Sequence, residues 1–514
     1  MTSRATIPVL ILAAALAAAA APQPVQRGKL TIHEIPVGSF GSADALQSLS
    51  MTSDSSHIAI LTRKPGPAGM FVVTRDGVPG KEYEWIIRAS LNFNRDGSRL
   101  AYIVQQGEGM FVVVDEKPGK VYHEIVGSTV LWAPVGERLL YVARKTAGGK
   151  LVVVVDGRES REYEQVVHVS FSPDGKRLAL IVQEEGQQWI VLDGTDQPKY
   201  EAVVPAGLAW SPDGSRLAYV AVAARGTEKK VVVVVDGKEM VECEEASPPV
   251  FSPDSKRVAF SVVNAGRMRI HVDGQPGPEY DSVAATPIIF SPDSRRLAYA
   301  ARRIDPADSR KSRYFYVLDG QEQPAYDQLV RGGALFSPDS REFSFAALRG
   351  NRIVFVIRGI EGRDYEDVKM AQYSPDGSRL AYLGLRDGRA YVVVNNRESG
   401  PYHTVSSLMF SPDGSRMAYV AQRERTVSVI VNDVPQKEYT GVVPTTLAFS
   451  PDGRHLAYQA QRDDTPVIVV NDQEAVEGAP TLRGSRLVFE NNNTLRGFIA
   501  RDLNVLKLRI EIGE

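Results

Sequence analysis

The chain has 514 residues, 60 basic and 62 acidic side chains, a formal charge of −2, and one cysteine. That length exceeds what one hydrophobic core organises, so a chain of two domains is expected. No stretch gathers five or six like charges, which argues against nucleic acid as a partner, and a single cysteine, Cys243, excludes an intrachain disulfide.

Residues 1–21, MTSRATIPVLILAAALAAAAA, place one arginine before an apolar run that ends in small residues, the pattern of a secretory signal peptide. Cleavage is expected after Ala19 or Ala20, because Pro22 disfavours a cut after Ala21. An uncleaved anchor is the alternative, although an apolar run of about 15 residues is short for a bilayer span. No cysteine follows the run to carry a lipid. The expected location is periplasmic or secreted, with no membrane span in the mature chain. Leu30 to Ile35 then reads as an extra strand that could complete a sheet elsewhere and lock a ring shut.

From here the chain repeats. Full copies run FSPDGKRLALIV from Phe171, WSPDGSRLAYVA from Trp210, FSPDSKRVAFSV from Phe251, FSPDSRRLAYAA from Phe290, FSPDSREFSFAA from Phe336, YSPDGSRLAYLG from Tyr373, FSPDGSRMAYVA from Phe410 and FSPDGRHLAYQA from Phe449. Their aspartates, Asp174, Asp213, Asp254, Asp293, Asp339, Asp376, Asp413 and Asp452, are spaced by 39, 41, 39, 46, 37, 37 and 39 residues. A period of about 40 residues is that of a propeller blade. Weaker copies at Met51, Phe93, Trp132 and Thr481 bring the total to 12.

Each repeat reads as four short antiparallel strands. Residues 408–410, 416–421, 427–431 and 437–443 are the four expected in one of them. In the first turn proline presets φ near −65°, aspartate bonds back to nearby amides, and glycine takes the left-handed conformation. Four repeats have serine in the glycine position, Ser55, Ser255, Ser294 and Ser340, at an expected cost of roughly 1 kcal/mol each. Pairs such as Asp156-Gly157 and Asp236-Gly237 mark a second hairpin. A tyrosine follows at fixed distance, from Tyr83 to Tyr439, and Cys243 takes its slot once, so it reads as a packing residue rather than a nucleophile.

The repeated motif resembles the propeller repeats of TolB-like proteins, a bacterial group related to the WD-repeat class, over most of residues 45–514. The resemblance implies an all-β fold of tandem β-propellers. Twelve blades exceed the usual four to eight, so two six-bladed rings are expected, residues 22–285 and 286–514; a 7 + 5 division is the competitor. Residues 26–45 leave no room for the α/β domain of TolB itself, and no segment remains for the catalytic domain of prolyl oligopeptidase-like or tricorn-like peptidases.

No G-x-S-x-G elbow, phosphate loop or zinc-helix spacing occurs. The seven histidines stand singly, and Asp463-Asp464 reads as a solvated hairpin tip. The one break in the period is the insertion 302–313, whose Arg302, Arg303, Arg310, Lys311 and Arg313 are the candidate contact residues for an acidic partner. No catalytic, cofactor or metal residues are assigned, and no cofactor is expected. The leading expectation is an exported, non-enzymatic binding or assembly platform of the bacterial envelope with a protein partner. The alternative is an enzyme or small-molecule binder with a composite site in a central channel.

Overall fold

The computed structural model describes residues 23–39, 49–64, 69–128, 130–281, 287–305 and 308–513; the leader-like residues 1–21 lie outside them. Apart from two 3-10 turns, the described residues form strands and their connections, and none of their helices is long and apolar enough to cross a membrane.

One repeat shows how each is built. Thr404–Phe410, Met417–Arg423, Thr426–Val431 and Val434–Tyr439 pair antiparallel in that order. The second and third strands are buried for most of their length, because neighbouring sheets cover both faces, which explains their unbroken apolar runs. The fourth strand is largely exposed and ends on a buried tyrosine. Outer strands such as VPGKEY, TDQPKY and RESGPY carry prolines and charges, which discourage pairing with another chain at an open edge. What reads in sequence as one strand over 437–443 turns a corner at Thr440: Tyr439 closes one sheet and Gly441 opens the next.

The first turn is held as its residues require. Arg416 N donates to Ser411 Oγ (2.9 Å), Ser411 Oγ donates to Asp413 Oδ1 (2.5 Å), and Gly414 has φ +72°. The four serines in the glycine position keep that conformation, with φ between 53° and 66°. Their compensation lies in the neighbouring sheet. Asp213 N donates to Ser255 Oγ (3.0 Å), Asp254 N to Ser294 Oγ (2.9 Å) and Asp293 N to Ser340 Oγ (2.9 Å), while Ser55 Oγ accepts from Arg486 N (3.1 Å). The three consecutive serines therefore form a chain of ties from turn to turn. Ser294→Ala is expected to cost about 1–2 kcal/mol, because the strain stays and the part-buried Asp254 amide loses its acceptor, whereas Ser294→Gly stays within about 0.5 kcal/mol by relieving the strain; urea unfolding of both variants checks this.

Sheets follow one another around an axis. First strands of neighbouring sheets approach each other, as Gln328–Phe336 does Asp367–Tyr373 and Thr404–Phe410 does Gly441–Phe449, which places the first strands innermost and the fourth outermost. Hydrophobic clusters fill the seams between successive sheets.

The last sheet departs from the expected reading. The copy at Thr481 sets Ser485-Arg486-Leu487 where other copies open their second strand, yet Val488–Asn491 is the first strand here; Thr494–Arg501 and Asn504–Ile512 are second and third. The fourth is Leu30–Ser39, paired with Asn504–Ile512 over its whole length, with Val25–Arg27 added outside it. The extra N-terminal strand thus completes the final sheet. That sheet packs on the first: Val37, Leu482, Phe498 and Val505 share a cluster with Ile58 and Ile60, and Arg496 Nη2 meets Asp54 Oδ2 at 2.6 Å. The expected boundary at 285/286 lies outside the described residues. On either side of it the sixth and seventh sheets share a hydrophobic cluster, as other neighbouring pairs do, with Arg257 5.4 Å from the Phe290 ring centre, and Asp281 is in addition paired to Arg302.

Candidate functional site

The arginine that closes the SPDG motif ties sheet to sheet. Arg216 Nε meets Asp236 Oδ2 of its own sheet at 2.9 Å, Nη1 donates to the carbonyl of Lys256 in the next sheet at 2.7 Å, and the guanidinium lies 5.1 Å from the centre of the Phe251 ring. Arg177 over Trp210 and Arg296 over Phe336 repeat the arrangement, and Arg416 over Phe449 keeps all but the ion pair, with Asn432 in the aspartate position. One repeat exchanges the charges: Glu342 stands in the arginine position and Arg358 in the place of the hairpin aspartate, and the two are paired. The motif aromatic, the arginine and the Asp-Gly pair are therefore one device split among three places in the sequence.

The tyrosines serve the outer part of the same seams. Tyr365 meets Tyr382 of the next sheet edge to face at 6.0 Å and donates to Glu398 (2.6 Å); burial pushes the Tyr382 hydroxyl up to about 12. Acids that follow the tyrosine slot cap hairpin tips: Gly350 N donates to Asp327 Oδ2 (2.7 Å), and Ala265 N to Glu244 Oε2 (2.8 Å) where Cys243 takes the slot. His403 does the same through Nδ1, accepting from Glu424 N (2.9 Å).

The turn aspartates are held low by the serine hydroxyls beside them, Asp376 by Ser374 and Asp413 by Ser411, each to about 2. A depressed carboxylate stabilises the fold above its ordinary range and loses that contribution as pH falls through the folded value. Stability is therefore expected to fall as pH drops from about 4 toward 2, and Asp413→Asn should shallow that decline in melting temperatures taken across the acid range.

The residues singled out in the sequence are distributed as follows. The insertion 302–313 lengthens the hairpin between Leu297–Asp305 and Asp308–Leu318. Arg303 pairs with Glu322, Arg313 Nη1 meets Asp327 Oδ1 at 2.9 Å, and Arg302 is half-buried; the side chains of Arg310 and Lys311 lie outside the described residues. Cys243 is buried, its thiol pushed up to about 11 by burial, which suits packing and not nucleophilic attack. Trp132 and Trp210 sit in seams, Trp132 Nε1 donating to Asn92 O (2.9 Å) and Trp210 Nε1 to Ser170 Oγ (3.1 Å). Among the described residues no group of three or more His, Cys, Asp or Glu side chains could hold a metal ion.

What sequence reading missed is on the innermost strands. Their pairing with the second strand slips at the same place in sheet after sheet, between Val204 and Ala209, Leu329 and Ala334, Lys369 and Gln372, Ser406 and Met409, and Val443 and Ala448. Bulges re-aim side chains, and strained backbone collects at functional positions. Met370 (φ 56°) and Ser407 (φ 53°) take the left-handed conformation here without being glycine. The bulges and the matching turns of other sheets form a belt on the inner wall, where Arg88, His168, Pro205, Arg331, Met370 and Thr445 are exposed. Its surface combines cationic, apolar and small polar groups, a character suited to binding. Three grooves also open at the seams, with volumes of about 360, 470 and 490 Å³, but their walls are the tying residues themselves, Arg75, Asp115 and Tyr102 in one and Arg216, Asp236 and Tyr219 in another.

Radial four-stranded sheets, innermost first strands and a last sheet completed by the N-terminal strand are propeller features. The model of the lipoprotein LpqB β-propeller domain matches residues 31–198. Over those residues the blades resemble an LpqB-type propeller domain. Among solved structures, the blades are similar to a eukaryotic initiation factor (11% identity, 70% of this chain and 90% of that one, TM-score 0.31). They are also similar to the β-propeller domain of the Trilobed protease from Pyrococcus furiosus (15%, 51% and 92%, 0.25) and to TolB from Acinetobacter baumannii (15%, 59% and 82%, 0.21). No curated protein matches in sequence.

Proposed function

We propose that this propeller is an exported, non-enzymatic platform of the bacterial envelope that binds a protein partner on the inner belt. The belt of bulges carries the reading. The motif side chains of the blades, the aspartates, arginines, tyrosines and the acids beside them, are engaged in holding turns, hairpins and seams, whereas the exposed belt residues Arg88 and Arg331 have no ion-pair partner among the described residues. Met370 keeps its left-handed backbone on this belt, and at Ser407 the strained residue also donates its hydroxyl to Pro444 O of the next blade (2.8 Å). The leader-like residues 1–21 support export, and the match to a lipoprotein propeller domain supports an envelope setting.

Photo-crosslinking from His168 and Met370, with Lys238 on the outer edge as control, tests the reading in intact envelopes. One reproducible adduct from the belt positions and none from the control is expected. Adducts from Lys238 alone, or turnover of a small molecule abolished by a belt substitution, would replace the platform with another function.

A further inference from the structure

We infer that the twelve blades close into one ring clasped by the N-terminal strand, and that the belt surrounds a single open bore. The inference rests on blade pairing and stands independently of the platform reading. Were Leu30–Ser39 the clasp of a six-bladed first ring, it would lie in the sixth blade, beside Gln275–Asp281. The strand instead pairs with Asn504–Ile512, from Leu30 opposite Ile512 to Ser39 opposite Asn504. Two rings would also require the first ring to end at the sixth blade. That blade is tied to the seventh by Asp254 N to Ser294 Oγ (2.9 Å), by Arg257 over Phe290, and by Met268, Ile270 and Tyr280 packed against Phe290, Tyr299 and Phe315.

The ties share one direction around the series. In six blades the motif arginine reaches the turn of the next, as Arg138 to Lys176 O, Arg177 to Ser215 O, Arg296 to Arg341 O and Arg416 to Arg454 O. At the end of the chain the direction holds and returns to the beginning, with Arg496 Nε donating to Asp54 O (2.9 Å) and Lys507 Nζ to Ser56 O (2.9 Å). A hydrophobic cluster joins each blade to the next and the last to the first, which makes the series a closed cycle.

Its width follows from spacing. Neighbouring sheets stack about 10 Å apart, and neighbouring first strands approach within 8 Å between Cα atoms. Twelve first strands at roughly 8–10 Å spacing enclose a circle about 30–38 Å across between backbones, leaving about 20 Å or more once side chains line it. Six would enclose about 15–19 Å, which side chains nearly fill. In one ring Arg88 and His168, from early blades, share a wall with Arg331 and Met370 from late ones.

Negative-stain microscopy of the natural chain is the first test: single rings with twelve spokes and an open centre are expected, and paired lobes would overturn the inference. A His33→Cys/Arg509→Cys chain tests the clasp. Oxidation should join the two ends of the chain covalently and raise Tm relative to the reduced form; a properly folded variant that stays unlinked would overturn the clasp. His168→Cys and Met370→Cys test the bore, with Lys238→Cys as the outer control. Both should react with a 5 kDa polyethylene-glycol maleimide within about threefold of the control, as an opening of about 20 Å allows. Reaction with small maleimides but not with the polymer would show a closed channel.

Discussion

Gly175→Ala is expected to destabilise the protein by about 3 kcal/mol or more, and Gly186→Ala by only about 1 kcal/mol. Both glycines are left-handed, with φ of 72° and 78°, so both variants carry the same backbone strain. The difference lies in what a methyl group meets. At Gly175, in an SPDG turn, it would overlap the carbonyl oxygen of Val135 in the preceding blade and touch the Ala133 side chain at 3.2 Å; at Gly186, on a hairpin tip, nothing lies within 4 Å. Backbone cannot step aside without opening the seam. Equilibrium unfolding in urea measures both variants, and equal costs would mean that the turn does not press on the neighbouring blade.

Arg296→Ala comes next, with an expected loss of about 2 kcal/mol from three charged hydrogen bonds and a ring contact, discounted for partial exposure. Arg296 meets Asp319 at 2.8 Å, donates to the carbonyls of Ser340 and Arg341 at 3.3 and 2.9 Å, and covers the Phe336 ring at 5.5 Å. Lysine should recover only part of the loss, since one ammonium cannot serve carboxylate, carbonyls and ring together. The exchanged pair supplies the internal control. Glu342→Arg alone sets two guanidinium groups side by side at Arg358 and should destabilise, and Glu342→Arg/Arg358→Asp should restore most of the stability. A double variant no better than the single would show that the pair contributes through packing alone.

That exchange was visible in the sequence and went unread. The repeat reads SPDSREF where others read SPDGSRL, and later Arg358-Gly359 where others have Asp-Gly; two departures in one repeat, of opposite sign, mark a contact. The turns and strands were legible because glycine, proline and aspartate fix local backbone, and local rules do not depend on distant partners. Blade identity at the end of the chain was not, since Phe489-Glu490-Asn491-Asn492-Asn493 has lost the SPDG residues and the nearby Ser485-Arg486-Leu487 imitates them. The inner bulges left no trace either. Arg331-Gly332, Met370-Ala371 and Pro444-Thr445 have no residue type in common, because a bulge on an inner strand is set by the register on either side of it. The serines in the glycine position showed their strain in the sequence, but not its compensation, which comes from the blade before.

The pairing of Leu30–Ser39 with Asn504–Ile512 also orders events in time. Glu34 and Arg501, which meet at 2.8 Å, are 467 residues apart in the chain, whereas the strands within a blade are joined by short hairpins. Local pairing forms fast, and contacts between distant segments wait on loop closure. During synthesis the N-terminal strand emerges long before its partner and must remain unpaired while blade after blade assembles behind it. Acquisition of the native state is thus set by the last blade to appear, and a nascent chain short of its final strands holds an apolar segment, TIHEIPV, with no sheet to join.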